Sequence, residues 1–133
     1  MKLGRDVLVI DTSAWLPEYG ETTVDVATDG RELSVIIEFD GEQVLERKKL
    51  VFTSVCSFTY ASFPGVATAA FEHDQAHTVP IDALAEYPDS EAATAWTRHF
   101  PYGGRVRHYR IYFLSANKSL TVFACGVTLV DME

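Results

Sequence analysis

The C-terminal stretch RVRHYRIYFLSANKSLTVFACGVTLV, residues 105–130, constrains the fold more than any other part of this sequence. Apolar residues alternate along it on both sides of a short polar segment, SANKS. Side chains point to opposite faces of a strand in turn, so a period of two predicts a strand with one buried face. Two such strands joined by a few turn-forming residues form a hairpin. The predicted inward-facing residues are Tyr109, Ile111, Phe113, Leu120, Val122 and Ala124.

The same alternation recurs in the first third of the chain, over residues 21–28 and 31–39, after a short apolar run at residues 7–10. The dipeptides at 29–30 and 40–41 are both Asp-Gly, a strong hairpin signal because glycine tolerates a positive φ. We therefore predict that the first 61 residues form an antiparallel meander. The residues predicted to point inward from its clearest strand are Leu33, Val35, Ile37 and Phe39.

The segment between residues 44 and 60 has two interpretations. The basic triplet Arg47, Lys48 and Lys49 interrupts its apolar pattern. The segment is therefore either one long bent strand or two strands with a β-bulge at the triplet. The apolar residues beyond the triplet, predicted to share one face, are Leu50, Phe52, Cys56, Phe58 and Tyr60.

Residues 89–100, DSEAATAWTRHF, carry a clear helix signal. Asp89 or Ser90 serves as N-cap, and Arg98 and His99 lie near the end, where they suit the helix dipole. Residues 66–75 are ambiguous between helix and strand. We predict a mainly β fold in a single globular domain, residues 1–133. It is an antiparallel meander that forms a sandwich or half-open barrel, with one short helix near residues 90–99 packed on it.

The formal net charge of the 133-residue chain is −8, from 19 acidic and 11 basic residues. An acidic domain repels nucleic acid and anionic membranes, so we expect no nucleic-acid or membrane partner. No hydrophobic run approaches a membrane span and the first residues do not resemble a signal peptide, which favours a soluble cytoplasmic protein. The charge suits a protein partner with a basic surface, or it serves solubility alone. A homodimer through an exposed sheet edge beside the C-terminal hairpin is left open.

Cys56 and Cys125 are the only cysteines, and each lies within an apolar strand pattern. We expect two reduced thiols in the core, with a disulfide between neighbouring strands as the alternative. No CxxC or Cys–His spacing typical of a zinc site occurs. His73, Asp74 and His77 lie close together, but they lack a third ligand at a recognisable spacing, so we interpret them as solvated loop residues. We expect no metal and no cofactor.

The segment RHFPYGGRVRHYR, residues 98–110, has four arginines and no acidic residue. Arginines beside a glycine pair can present forked guanidinium groups and backbone N–H groups to a phosphate or carboxylate. The candidate anion-binding residues are Arg98, Tyr102, Arg105, Arg107, His108 and Arg110. The structural alternative is that Arg105 and Arg107 pair with acids such as Glu38 or Asp25, with His108 and Arg110 on the opposite face.

Residues 7–16, VLVIDTSAWL, resemble the start of PIN-domain nucleases, in which an apolar strand ends in an Asp followed by Thr or Ser. The resemblance implies an α/β fold and a role for Asp11 in holding magnesium or manganese for RNA cleavage. It covers about ten residues and then stops, because the chain continues into alternating strands.

The sequence is therefore compatible with three functional hypotheses. The first is a non-catalytic protein-binding module. The second is a binder of, or an enzyme acting on, a small anionic ligand through residues 98–110. The third is a PIN-like metal-dependent ribonuclease. No nucleophile elbow and no phosphate-binding glycine loop occurs, which leaves it undecided whether the chain is an enzyme.

Overall fold

The computed structural model describes residues 2–62, 83–100 and 104–132, and it has a mainly β, sandwich-like fold of two antiparallel sheets. One sheet has the order β1-β6-β7-β8-β5 and the other the order β2-β3-β4-β9. The strands of the first sheet are β1 (Val7–Ile10), β5 (Ser57–Ser62), β6 (Leu84–Glu86), β7 (Arg107–Phe113) and β8 (Lys118–Ala124). Those of the second sheet are β2 (Thr23–Asp29), β3 (Glu32–Asp40), β4 (Leu45–Thr53) and β9 (Gly126–Met132). A 3-10 turn spans Thr12–Ala14, and one helix, α1, spans Glu91–His99.

The two sheets enclose the core that the alternation predicts. Leu33, Val35 and Ile37 of β3 are fully buried, as are Leu50 and Phe52 of β4. The first sheet contributes alternate residues of β7 and β8 and one residue of β6, namely Leu84, Tyr109, Ile111, Phe113, Leu120, Val122 and Ala124. Both faces meet in one continuous cluster, so hydrophobic burial between the sheets holds the fold together.

Both Asp-Gly turns occur where they are predicted. Gly30, with a φ of 61°, connects β2 to β3, whose register runs from Thr23 opposite Glu38 to Asp29 opposite Glu32. At the second turn the Gly41 N–H donates to the Val44 carbonyl at 2.9 Å. A Cβ at Gly41 would lie 2.6 Å from that carbonyl oxygen, so the chain needs glycine there to close the β3–β4 hairpin.

The strand boundaries differ from the prediction in two places. The basic triplet lies inside β4, and the break falls instead at residues 54–56, where Ser54 takes a φ of 51° and the chain passes into the other sheet. Neither interpretation of residues 44–60 is correct as stated, because the segment forms two strands, but they divide at residues 54–56 and the register through the triplet is regular. The C-terminal hairpin of β7 and β8 is confirmed, but it does not complete the chain, because β9 follows it in the other sheet. At the first break the alternation keeps its phase, because Phe58 and Tyr60 lie opposite the core residues Val122 and Leu120, so the pattern alone did not reveal this change of sheet. At the second break the inward positions shift by one residue, from Ala124 to Val127 and Leu129.

Helix α1 confirms the predicted element and its cap. The Ser90 hydroxyl accepts a hydrogen bond from the Ala93 N–H at 3.2 Å, as an N-cap does. The helix packs on the outer face of the first sheet through Trp96, whose ring lies 6.1 Å from that of Phe123. Its Thr97 hydroxyl accepts from the Val106 N–H at 3.0 Å, which fixes the helix against the start of β7.

Several predictions fall outside the described residues, namely the ambiguous segment 66–75, the group His73, Asp74 and His77, and the candidate Tyr102. In the part of the chain that is described, no helix is long and apolar enough to cross a membrane.

Candidate functional site

Three of the predicted arginines lie together. Arg98, Arg105 and Arg107 line one cleft of about 320 Å³ between α1, the segment before it and the start of β7. Thr94 and Thr97 form the helix side of this cleft. We call it the arginine cleft. A cleft of this size with forked cations and hydroxyl groups suits a small anion.

A carboxylate compensates part of this charge. Arg107 Nη1 donates to Glu86 Oε1 at 2.9 Å, and Arg105 Nη2 lies 3.6 Å from Glu86 Oε2. The hydrogen bond that Arg107 donates to Glu86, together with the negative charge of Glu86, raises the pKa of Arg107. The predicted pairing with acids is therefore present, but its partner is Glu86 of β6 rather than Glu38 or Asp25. Arg98 makes no ion pair with a described residue.

The structure separates the other two predicted residues from the arginine cleft. His108 and Arg110 lie on the opposite face of β7, as the alternation requires. His108 is buried, with Nδ1 2.8 Å from the Ser90 hydroxyl and its ring 4.4 Å from that of Phe123. Arg110 donates to the Thr121 hydroxyl at 3.0 Å. His108 thus links β7 to the cap of α1, and Arg110 links β7 to β8. Neither residue lines the arginine cleft.

A second concave surface was not predicted. It is an open groove of about 840 Å³ between the 3-10 turn region and the β3–β4 hairpin. Its carboxylates are Asp40, Glu42 and Glu46, and the other side chains that shape it are Trp15, Leu16, Pro17, Tyr19 and Val44. We call it the acidic groove.

No described cation forms an ion pair with the carboxylates of the acidic groove, Asp40, Glu42 and Glu46. Asp40 accepts a hydrogen bond from the Tyr19 hydroxyl at 2.8 Å. This hydrogen bond, together with lesser effects of burial and of the Asp40 charge, raises the pKa of Tyr19.

The apolar part of the acidic groove is available to a partner. Tyr19 is 64% exposed and Val44 is 69% exposed, and Leu45 beside Val44 is also exposed. Trp15 is half-buried, because its ring packs 5.0 Å from that of Phe39 and Lys48 lies over it. Lys48 is itself paired with Asp131, so it does not face the three carboxylates as a free cation.

Asp11, the residue that the PIN resemblance selects, has a local structural role. Its carboxylate accepts hydrogen bonds from the Ser13 N–H at 3.1 Å and from the Ser13 hydroxyl, and it caps the 3-10 turn. Within residues 2–62, 83–100 and 104–132, no group of three or more His, Cys, Asp or Glu residues is arranged to hold a metal ion. The nuclease hypothesis therefore rests on the ten-residue resemblance alone.

The sequence held one signal of the acidic groove. Residues 40–46, DGEQVLE, combine three acids with the apolar pair Val44 and Leu45 beside an Asp-Gly turn. Apolar residues so close to a polar turn lie outside the alternating pattern, which marks them as candidates for exposure. Trp15 and Tyr19 arrive from a segment more than twenty positions away, and only the fold brings them to the hairpin.

Comparisons with protein-family models, with curated proteins and with solved structures gave no match.

Proposed function

We propose that this protein is a non-catalytic binding module that recognises a basic, partly apolar segment of another protein through the acidic groove. The observation that carries the proposal is that one groove holds three carboxylates without an ion pair to any described residue, together with the exposed side chains of Tyr19 and Val44.

Each part of the groove has a physical role in this proposal. Asp40, Glu42 and Glu46 attract a cationic segment and speed its encounter, an effect that increases as ionic strength falls. The exposed side chains supply the apolar burial that holds the complex once it has formed, and aromatic residues are frequent at such binding centres. The net charge of −8 extends the attraction beyond the groove itself.

The test is a set of short fluorescent peptides that combine Lys or Arg with Leu or Trp, titrated with the protein at low and at physiological salt. The groove variant Asp40→Asn, Glu42→Gln, Glu46→Gln removes three charges and keeps the acceptor for Tyr19. We expect it to weaken the best peptide at least about tenfold, which corresponds to about 1.4 kcal/mol.

The matched control is Asp25→Asn, Asp29→Asn, Glu32→Gln. It removes the same charge from exposed residues of the β2–β3 hairpin, at the opposite end of β3. We expect its affinity to stay within about twofold of the unchanged protein. Equal losses in the two variants would mean that only net charge attracts the peptides, and the groove would not be the site.

A second candidate function, binding of a small anion in the arginine cleft, is favoured by the convergence of Arg98, Arg105 and Arg107. Three guanidinium groups against the single carboxylate of Glu86 leave a positive surface in an acidic protein. Inorganic phosphate and pyrophosphate are suitable probes, since both accept forked hydrogen bonds.

The variant Arg98→Gln, Arg105→Gln tests this candidate while leaving the Arg107–Glu86 pair in place. We expect it to abolish stabilisation by pyrophosphate in a thermal unfolding assay. Arg31→Gln, Lys49→Gln is the control with the same change of charge outside the cleft. An unchanged pyrophosphate effect in the first variant would remove the arginine cleft from consideration.

A further inference from the structure

The chain passes from one sheet to the other at Cys56 and again at Cys125, and the two crossing segments lie side by side. Cys56 is between β4 and β5, and Cys125 is between β8 and β9. The Cys56 N–H donates to the Phe123 carbonyl at 2.8 Å, and the Cys125 N–H donates to the Thr53 carbonyl at 3.0 Å. These two hydrogen bonds hold both residues in one short stretch of paired backbone.

The two side chains share a cavity. Cys56 and Cys125 both line a cavity of about 140 Å³, and its other lining residues are Arg31, Ser54, Val55, Phe100 and Val106. Both thiols are free and half-buried, so the expectation of core cysteines is wrong. A small reagent can therefore reach them, whereas a thiol in the sheet-to-sheet core would be inert.

The raised pKa of Cys56 agrees with this position in the cavity. Burial is the main cause of the raised pKa of Cys56, and the second cause is the negative charge that Cys125 carries when ionised. The paired backbone and the shared cavity are what bring the two thiol groups to the same place.

We propose that Cys56 and Cys125 form a thiol pair that closes to an intramolecular disulfide when a small disulfide oxidant enters this cavity. One protein thiolate attacks a sulfur atom of the oxidant and expels one thiolate, which leaves a mixed disulfide. The second protein thiolate attacks the protein sulfur of that bond and expels the other thiolate. Two protein thiols are oxidised, the oxidant is reduced to two thiols, and these carry the two protons away.

The closed bond would join the two crossing points of the sandwich. It would also close a loop of about half the chain, from Cys56 to Cys125, and a disulfide across a long loop disfavours the unfolded state. We therefore expect the oxidised protein to unfold at a higher temperature than the reduced protein. Reduction would reverse the change.

The experiment is oxidation of the native chain with glutathione disulfide, followed by unfolding, alkylation with iodoacetamide and intact-mass measurement. We expect a monomer that has lost two hydrogen atoms and takes up no alkyl group, and that dithiothreitol converts back to a doubly alkylatable form. The folded chain should close at least about tenfold faster than the same chain in urea, because the fold holds the thiols together.

The single variants Cys56→Ser and Cys125→Ser should each stop at the mixed disulfide with glutathione. If the native protein instead stops at mixed disulfides on both cysteines, or forms only dimers linked between chains, the proposal is overturned. Closure at the same rate in urea would overturn it equally, since the cavity would then contribute nothing.

Discussion

The arginine cleft and the acidic groove differ in how the fold treats their charges. In the cleft, Arg107 and Arg105 face Glu86, whose side chain is only 11% exposed. In the groove, three carboxylates face solvent, and no described cation pairs with them. Glu86 thus neutralises part of the positive charge of the arginine cleft, whereas no described residue neutralises the negative charge of the acidic groove.

This difference shows that the density of charge along a sequence is a poor guide to which charges stay without a partner in the folded protein. Residues 98–110 are the most basic part of the chain, yet Glu86 approaches two of their four arginines from another strand. A charge that is already paired within the fold gains little further stabilisation from a ligand of opposite sign. A cluster of like charges without partners is stabilised more, because the ligand reduces the repulsion among them. The contrast can be tested from both sides.

The largest expected effect comes from Ser90→Ala, which attacks the framework of the arginine cleft. Ser90 is 1% exposed and its hydroxyl contacts both the Ala93 N–H and His108 Nδ1. Loss of a buried cap that makes two hydrogen bonds should lower the free energy of unfolding by about 2 kcal/mol in urea denaturation.

The same variant separates the two surfaces, because α1 forms a wall of the cleft but takes no part in the groove. Under native conditions we expect pyrophosphate binding to weaken and peptide binding to stay unchanged. Ser90→Thr, which keeps the hydroxyl, is the matched control. Equal damage to both surfaces would contradict their independence.

A smaller effect is expected from Glu86→Gln, which removes the compensation within the cleft. The pair is partly exposed on its arginine side, so solvent screens it, and we expect a loss of about 1 kcal/mol in the free energy of unfolding. Anion affinity should rise at the same time, because the cleft gains one net positive charge. A stable variant with weaker pyrophosphate binding would show that Glu86 positions the arginines rather than opposing the anion.

Neutralising the acidic groove should have the opposite sign. The variant Asp40→Asn, Glu42→Gln, Glu46→Gln breaks no ion pair and relieves repulsion among like charges. We expect its free energy of unfolding to remain unchanged or to rise by up to about 0.5 kcal/mol. Urea denaturation at low salt is the measurement, since screening hides the gain at high salt. A clear destabilisation would mean that these acids serve the fold, as Glu86 does.

The sequence could predict the sandwich because its alternation records which side of each strand is buried. Leu33, Val35 and Ile37 show this for β3. The helix could be predicted from a different local signal, the N-cap residue Ser90. The same pattern could not predict which strands share a sheet, because the alternation keeps its phase at Ser54–Cys56, where the chain passes into the other sheet. The shift of phase at Cys125 marks a break in the strand, but it does not tell which sheet the next strand joins.

Prediction of the sites was limited by the same physical fact. Residues 98–110 do contribute three arginines to one cleft, as their local sequence suggests. Their partner Glu86 belongs to β6, and the sequence does not indicate that β6 pairs with β7. The acidic groove joins Trp15 and Tyr19 to residues 40–46 through tertiary contact only. A period of two indicates which face of its strand a side chain occupies. It contains no information about which residue, distant in sequence, contacts that face.

The smallest expected effect is a change in the pKa of Tyr19, and it reports the local field of the groove directly. The hydrogen bond to the Asp40 carboxylate is the main cause that raises this pKa. In Asp40→Asn the acceptor is an uncharged amide oxygen, which binds the phenol less strongly, so the variant should lower the pKa of Tyr19 towards the ordinary value for tyrosine. The interaction is present while the phenol is protonated and is lost as the pH rises through the Tyr19 pKa. A pH titration of ¹³C-labelled tyrosine by NMR, assigned with Tyr19→Phe, provides the measurement.

Tyr60 is the internal control for this titration, because burial is the main cause of its raised pKa and the nearby charges of Glu21 and Asp25 come second. Its pKa should not move in Asp40→Asn. A bound cationic peptide should also lower the pKa of Tyr19, since a positive charge favours the phenolate. If the pKa of Tyr19 shifts in Asp40→Asn but not when a peptide binds, the peptide lies outside the acidic groove. The groove and the arginine cleft would then differ in how their charges are compensated, but the groove would not be a recognition site.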